Sequence, residues 1–178
     1  MAKQQWVSDL NHSELGFKIR HLMITNINGK FGNFEVEAET EGEDFTTAKV
    51  KVTVDVDSIS TGNDDRDKHL RSPDFFDVNQ HRNITFAATK YESVDNDGSY
   101  ELYGDLTIRG VTKNVKLAVE FGGVVKDPWG NTKAGFTVNG KINRKDFGLN
   151  WNAATETGGV LVGDDVKINC EVQLIKKQ

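Results

Sequence analysis

Cysteine and proline are nearly absent from this chain of 178 residues, which contains one cysteine and two prolines. The single cysteine, Cys170, excludes an intramolecular disulfide. No stretch of the sequence approaches the roughly 20 apolar residues that a membrane-spanning helix needs. The first residues also lack the apolar centre of a secretory signal. We therefore expect a cytoplasmic protein with no transmembrane segment, or a periplasmic one if a signal peptide was trimmed.

An excess of basic charge is also missing. The sequence has 22 lysines and arginines against 27 aspartates and glutamates, which gives a net charge of −5. The basic residues form no long block. A protein that binds the phosphate backbone normally carries a basic face, so nucleic acid is not an expected partner.

Motifs for catalysis and metal binding are absent as well. The chain has no G-x-S-x-G elbow and no phosphate-binding glycine loop between a strand and a helix. Residues 95–98 resemble part of a calcium loop, but the EF-hand register places no acid at its bidentate position, which favours a hairpin turn. The histidines are too far apart in sequence for a compact ligand pair; they are His12, His21, His69 and His81. We expect no metal, no cofactor and no catalytic residues.

What the chain does contain is alternation of apolar and polar residues. Valine outnumbers leucine by 18 to 10, and there are 17 glycines, a composition that favours strands separated by turns. Valines alternate with polar residues throughout residues 49–57, which predicts a strand with one buried face. Residues 102–108 and 115–121 show the same period, and Arg109-Gly110 turns the chain between them.

Only one segment predicts a helix. Residues 64–71 begin with acidic and end with basic side chains, which matches the helix dipole, and Asn63 can cap the start. About eight strands and this one short helix are expected in a single domain over residues 1–178. An antiparallel β-barrel is the economical all-β arrangement, because closure removes exposed strand edges.

The first long strand is expected at residues 15–25. Alternation there places Phe17, Ile19, His21 and Met23 on one face. The Asn28-Gly29 pair predicts the following hairpin turn, because both residue types tolerate positive φ.

The inner face combines aromatic with small residues, namely Phe17, Phe34, Phe75, Phe76, Phe86, Phe136 and Trp151 with Ala38, Ala88, Gly104 and Gly140. Eight strands make a barrel whose interior is either filled by side chains or has room for one ligand. The small residues fit two interpretations at this stage. They leave space for a cavity, or they mark kinks where the strands coil. Cys170, in an apolar row of the last strand, is expected to be a buried small residue.

Several segments, in order along nearly the whole chain, resemble the YceI-like family. The residues that carry this resemblance are Trp6, Asp9, His12-Ser13, Phe17, His21-Leu22, Gly29, Phe31, Arg66-Asp67, Asn143-Arg144 and Trp151, together with residues 58–61, 69–72, 74–77, 84–86, 104–113 and 146–148.

The resemblance implies a lipocalin-like barrel that holds a long isoprenoid chain, such as a polyprenyl phosphate or an isoprenoid quinone. We predict that the protein binds this lipid and sequesters or transports it. His21, Arg66 and Arg144 are candidates for contact with the head group. The predicted ligand-binding residues, which line the tunnel and its mouth, are Phe17, Ile19, His21, Phe75, Phe76, Phe86, Leu106, Ile108, Phe136 and Trp151.

Two other functions compete with this interpretation. One is a non-catalytic stress or interaction protein whose barrel core is filled. The other is an enzyme that acts on a bound lipid. Exposed barrel edges or a paired mouth would also support a homodimer.

Overall fold

The structure is a computed structural model that describes residues 2–94, 98–153 and 161–177. Residues 95–97 of the predicted turn lie outside this range. The described residues form eleven strands and one α-helix, α1 (Asp64–Arg71). The strands are β1 (Lys3–Ser8), β2 (Glu14–His21), β3 (Thr25–Phe31), β4 (Phe34–Glu41), β5 (Asp44–Asp55), β6 (Ile59–Ser60), β7 (Asn83–Ser93), β8 (Ser99–Ile108), β9 (Val111–Lys126), β10 (Thr132–Asn143) and β11 (Val162–Lys176).

The sheet closes on itself. Eight strands follow one another in the order β1-β4-β5-β7-β8-β9-β10-β11, and β11 pairs with β1 to complete the ring. Strands β2, β3 and β6 continue the sheet from β11. Each of these pairings is antiparallel. The predicted all-β fold, an antiparallel barrel of about eight strands with one short helix, is confirmed.

Two predicted features agree with the structure, namely the turn at Arg109-Gly110 and the helix cap at Asn63. Arg109 and Gly110 both have positive φ, 51° and 75°, and form the two-residue turn between β8 and β9. The side chain of Asn63 accepts a hydrogen bond from the backbone N–H of Arg66 and so caps α1. In the described residues, no helix is both long and apolar enough to cross a membrane.

The predicted turn at Asn28-Gly29 is wrong. The chain reverses at residues 22–24, where Leu22 and Met23 have φ of 53° and 60°, and Gly29 lies inside β3. Gly29 pairs with Phe17, and a Cβ atom on it would lie 2.2 Å from Cζ of the Phe17 ring. The glycine is therefore required by the ring that covers it and not by a turn. Met23 consequently leaves the face that Phe17 occupies.

Strands β1 and β2 form one line along β11, interrupted by a short 3-10 turn at Leu10–His12. At this interruption the hydroxyl of Ser13 accepts a hydrogen bond from the backbone N–H of Gln173 at 3.0 Å and donates one to its carbonyl at 3.3 Å. The backbone N–H of Asp9 donates to the same carbonyl. The side chain of Ser13 thus replaces the ladder partners that the interrupted strand lacks.

Aromatic rings close one end of the barrel. Trp6, Phe45, Phe121 and Phe136 form a connected cluster with centroid distances of 4.8 to 5.5 Å. Trp6 is only 1% exposed, and its indole N–H donates to Oγ1 of Thr40 at 2.8 Å. Helix α1 and the segment after β10 lie at the opposite end. Buried side chains also pack at that end, among them Val56, Ile59 and Phe147, which are each 1% exposed.

Candidate functional site

A cavity of about 410 Å³ occupies the interior of the barrel, and its wall is almost entirely apolar. Pockets for small molecules typically measure about 300 to 1,000 Å³. An apolar cavity of about 150 Å³ is already large enough to bind benzene. The size and the chemistry of this cavity therefore suit an apolar guest.

Strand β11 shows directly that the interior is hollow. Val166, Ile168 and Cys170 point inward and line the cavity, yet each remains only half-buried. Val172 and Leu174 follow in the same row towards the aromatic end and are 7% and 3% exposed. A closely packed core would bury all five side chains alike.

All ten residues predicted to bind the ligand lie in the cavity wall, although their contact with a ligand stays a prediction. They come from β2, β7, β8 and β10 and from the segments after α1 and after β10. These residues are Phe17, Ile19, His21, Phe75, Phe76, Phe86, Leu106, Ile108, Phe136 and Trp151. Phe34 was expected on the same inner face; it is buried but does not line this cavity.

Glycines in the wall make room for neighbouring side chains. A Cβ atom on Gly104 would lie 2.3 Å from Cζ of Phe86, and one on Gly140 would lie 2.5 Å from Cδ2 of Leu117. The space above each glycine is thus occupied by a large neighbour that leans against the wall. Both glycines therefore help to keep the centre of the barrel open, which favours the cavity over the kink interpretation.

The arginines and histidines of the wall gather at the α1 end. Arg20 and His21 end β2, and Arg66 and His69 project from α1. Among the described residues, no aspartate or glutamate lines the cavity. The lining at this end therefore contains the positive charges of Arg20 and Arg66, in contrast to the net charge of −5 for the whole chain.

A short chain of hydrogen bonds holds the Arg66 side chain in place. Its Nε and Nη2 atoms donate to Oγ1 and to the backbone oxygen of Thr61, both at 2.7 Å. The hydroxyl of Thr61 in turn donates to Oδ1 of the buried Asp67 at 2.5 Å. Within the described residues, Nη1 of Arg66 has no hydrogen-bond partner. This guanidinium is oriented and still has donors to offer to a guest.

His69 belongs to an aromatic group at the same end. Its ring lies edge-on to Trp151 and Phe75, with centroid distances of 4.6 and 5.1 Å. The Nε2 atom is 2.9 Å from Oδ2 of Asp74. These contacts fix the imidazole ring and the indole ring beside the opening. The helix spacing of Arg66, His69 and Leu70, at i, i+3 and i+4, was the sequence signal for this inward face.

Arg144 also lines the cavity, but backbone carbonyls already engage its guanidinium, which argues against the predicted head-group contact. It is 2% exposed, and its guanidinium donates to the carbonyl oxygens of Gly163, Leu149 and Trp151 at 2.6 to 2.8 Å, with a longer bond to Val162. Burial lowers the pKa of Arg144, but an arginine remains protonated in proteins. Its guanidinium thus joins residues 149–151 to residues 162–163 at the α1 end of the barrel.

Tyr91 is one polar group that sequence reasoning missed. Its ring lines the cavity, and its hydroxyl is buried without a partner among the described residues. Burial raises the pKa of Tyr91. The phenol therefore stays protonated and keeps an unused donor, but no pattern in the sequence distinguished this tyrosine from the other two.

The thiol of Cys170 offers a chemical probe of the cavity. Burial raises its pKa to about 11, so the thiolate that reacts is scarcer at pH 8 than in an exposed cysteine by about 100-fold or more. We expect labelling by a disulfide reagent to be slow at pH 8 and to accelerate up to about pH 11. The urea-unfolded protein is the reference, and equal rates in both states would contradict the placement.

The described residues define a closed eight-stranded β-barrel with a hollow apolar interior and a cationic opening. No three histidine, cysteine or acidic side chains among them come together as a metal site. The sequence model of the YceI-like domain matches residues 6–174. The chain belongs to the YceI-like family.

Two relatives span nearly the same length as this chain. A UPF0312 protein of Staphylococcus aureus (strain bovine RF122 / ET3-1) is 43% identical over 163 residues, which are 91% of this chain and 92% of that protein. The crystal structure of a Campylobacter jejuni YceI protein is 37% identical and has a TM-score of 0.76 over 90% of this chain and 91% of that one.

A more distant structure shares the fold alone. It is a polyisoprenoid binding domain from Saccharophagus degradans, which is 14% identical and has a TM-score of 0.66 over 97% of this chain and 98% of that chain.

Proposed function

We propose that this protein binds a long-chain isoprenoid lipid, with the tail inside the barrel and the head group at the α1 end. The observation that carries the proposal is the apolar cavity of about 410 Å³, closed by aromatic rings at one end and cationic at the other. The Saccharophagus degradans domain of the same fold is named as a polyisoprenoid binding domain, which supports the proposal. A hollow interior argues against a filled barrel core.

The apolar wall supplies the affinity for the tail. Moving a chain out of water stabilises the complex by roughly 0.8 kcal/mol for each CH₂ group that is buried. Association and ordering of the tail oppose this gain, but their cost is shared over many carbons. A long tail is therefore favoured over a short one, and the wall needs no specific contact to each prenyl unit.

The opening favours an anionic head group. A phosphate can accept charge-assisted hydrogen bonds from the guanidinium of Arg66, which Thr61 already orients. Arg20 and His21 add donors beside it, and no described carboxylate in the wall repels an anion. A neutral quinone would form no such charge-assisted hydrogen bond with Arg66. We therefore favour a polyprenyl phosphate, bound for sequestration or transport.

The purified protein tests this proposal. Lipid is extracted from it and identified by mass spectrometry, and emptied protein is then offered a polyprenyl phosphate and a quinone of equal tail length. We expect an isoprenoid in the extract and preferential uptake of the phosphate. Arg66→Gln should lower affinity for the phosphate at least tenfold and affinity for the quinone little, because only the phosphate carries the matching charge.

Lys68→Gln is the matched control, since Lys68 is exposed on the same helix and does not line the cavity. Its affinity for both lipids should equal that of the unchanged protein. Equal losses for both lipids in Arg66→Gln would overturn the head-group assignment. An extract without any amphiphile, together with no uptake of either added lipid, would overturn the binding function itself.

A further inference from the structure

The turn between β2 and β3 exposes three consecutive apolar side chains. Leu22, Met23 and Ile24, called the apolar tip below, are 39%, 52% and 71% exposed. Leu22 and Met23 adopt left-handed backbone conformations, which are uncommon for residues other than glycine. A turn that only reversed the chain would be more stable with asparagine or glycine at these positions. The exposed apolar side chains therefore need another explanation.

The apolar tip lies beside the opening of the cavity. Its neighbours Arg20 and His21 line the wall, and the backbone N–H of Leu22 donates to the carbonyl of Leu161, another residue of the wall, at 2.9 Å. The guanidinium of Arg20 also donates to the backbone oxygen of Met23 at 2.9 Å. The tip is thus held at the rim by defined contacts.

Basic side chains accumulate on the outer surface next to the tip. Lys18 of β2 stands directly opposite Lys167 of β11, which stands opposite Lys141 of β10. All three are exposed. Like charges directly opposite one another destabilise a sheet. We call these three residues the lysine row.

Among the described residues, the surrounding charges neutralise one member of this row, Lys141, which pairs with Asp165, and leave the other two unpaired. Residues 15–32 contain Lys18, Arg20 and Lys30 but no acid. The nearest carboxylates on the neighbouring strand are Asp164 and Asp165, which lie 3.4 Å from Lys145 and 3.8 Å from Lys141. Within the described residues, no carboxylate pairs with Lys18 or Lys167. This surface is therefore positive in a protein whose net charge is −5.

We propose that the apolar tip and the lysine row dock the barrel onto an anionic lipid bilayer. Lys18 precedes Leu22 by four residues, so the two are roughly 13 Å apart along the strand. Interfacial anchors bury apolar groups about 5 to 10 Å deep and place basic groups at the anionic head groups. The tip then enters the membrane while the lysine row meets its phosphates, and the cavity opens towards the bilayer.

Sedimentation with vesicles tests the docking. Protein emptied of lipid is mixed with vesicles of phosphatidylcholine alone or with phosphatidylglycerol, neither of which contains an isoprenoid. We expect binding only to the anionic vesicles, with loss at high salt. Lys18→Gln with Lys167→Gln, and separately Met23→Asn with Ile24→Ser, should each weaken binding about tenfold or more. Asparagine keeps the turn at Met23, because it tolerates positive φ.

Two control variants make the same chemical changes elsewhere. Lys49→Gln with Lys51→Gln removes two outward lysines of β5 that stand opposite Glu39 and Glu37. Trp129→Ser removes an apolar side chain that is 82% exposed in the β9–β10 connection, at the aromatic end. Both controls should bind vesicles like the unchanged protein.

Equal weakening by the controls would overturn the assignment of this surface, and absence of binding to anionic vesicles would overturn docking altogether. A dimer that dissociates in the tip variant, without vesicle binding, would instead identify a second copy of the chain as the occupant. Uptake of free isoprenoid is measured in the same variants. Uptake depends on the cavity, so loss of uptake would count against the proposed lipid binding. Loss of vesicle binding would count only against the docking.

Discussion

Ile168→Trp is expected to lower the amount of lipid retained by the purified protein at least tenfold. Ile168 points from β11 into the middle of the cavity, between Phe17 of β2 and Gly140 of β10. An indole at this point occupies volume that the tail requires. The free energy of unfolding should change little, because the added ring buries apolar surface in space that is otherwise empty.

The measurement is isoprenoid per mole of protein by mass spectrometry, together with a urea unfolding curve. Ala118→Trp is the matched control, because Ala118 is exposed on the outer face of β9 next to the inward Leu117. The control should retain its full lipid content. A folded Ile168→Trp protein with undiminished lipid would mean that the ligand does not lie in the barrel.

Arg144→Met is expected to lower the free energy of unfolding by about 3 to 5 kcal/mol. Methionine can fill part of the buried space, but it donates no hydrogen bond. The carbonyls of Leu149, Trp151, Gly163 and Val162 would lose their partner, and a buried polar group without one costs about 1 to 3 kcal/mol. Partial access of water to the rim keeps the total below the sum of these costs.

Urea unfolding measures this loss of stability, and two further variants serve as comparisons. Arg144→Lys should recover only part of the stability, because an ammonium lacks the planar fork that reaches several carbonyls. Arg82→Met should resemble the unchanged protein, since the Arg82 side chain is 67% exposed and its contact with Asp55 is a surface ion pair at 3.5 Å. Similar curves for Arg144→Met and Arg82→Met would refute the structural role of Arg144.

Local patterns predicted much of the barrel. Alternation placed Leu102, Leu106 and Ile108 on the inner face, and the structure buries all three. The charge order and cap predicted α1 correctly. The Asn28-Gly29 pair misled because asparagine followed by glycine is a hairpin signal only when no neighbouring strand needs the glycine. Phe17 on the adjacent strand needs it, and that contact is not encoded within residues 25–31.

The polar residues at the opening were harder to assign from sequence. His21, Arg66 and Arg144 were equivalent candidates for head-group contact, yet the structure gives Arg144 buried carbonyl partners and leaves donors of Arg66 at the cavity. The carbonyls of Gly163 and Val162 are 19 and 18 residues away along the chain. Such partners depend on how distant segments meet, so the residue type alone could not separate the two roles.

The sequence by itself determined which side chains face inward, because a strand has a period of two and this rule is local. It also determined the family, through residues distributed along the whole chain. Only the tertiary structure decided that the interior is hollow. That outcome depends on how the volumes of side chains from all eight strands add up around the closed barrel, and on glycines that let large neighbours lie against its wall.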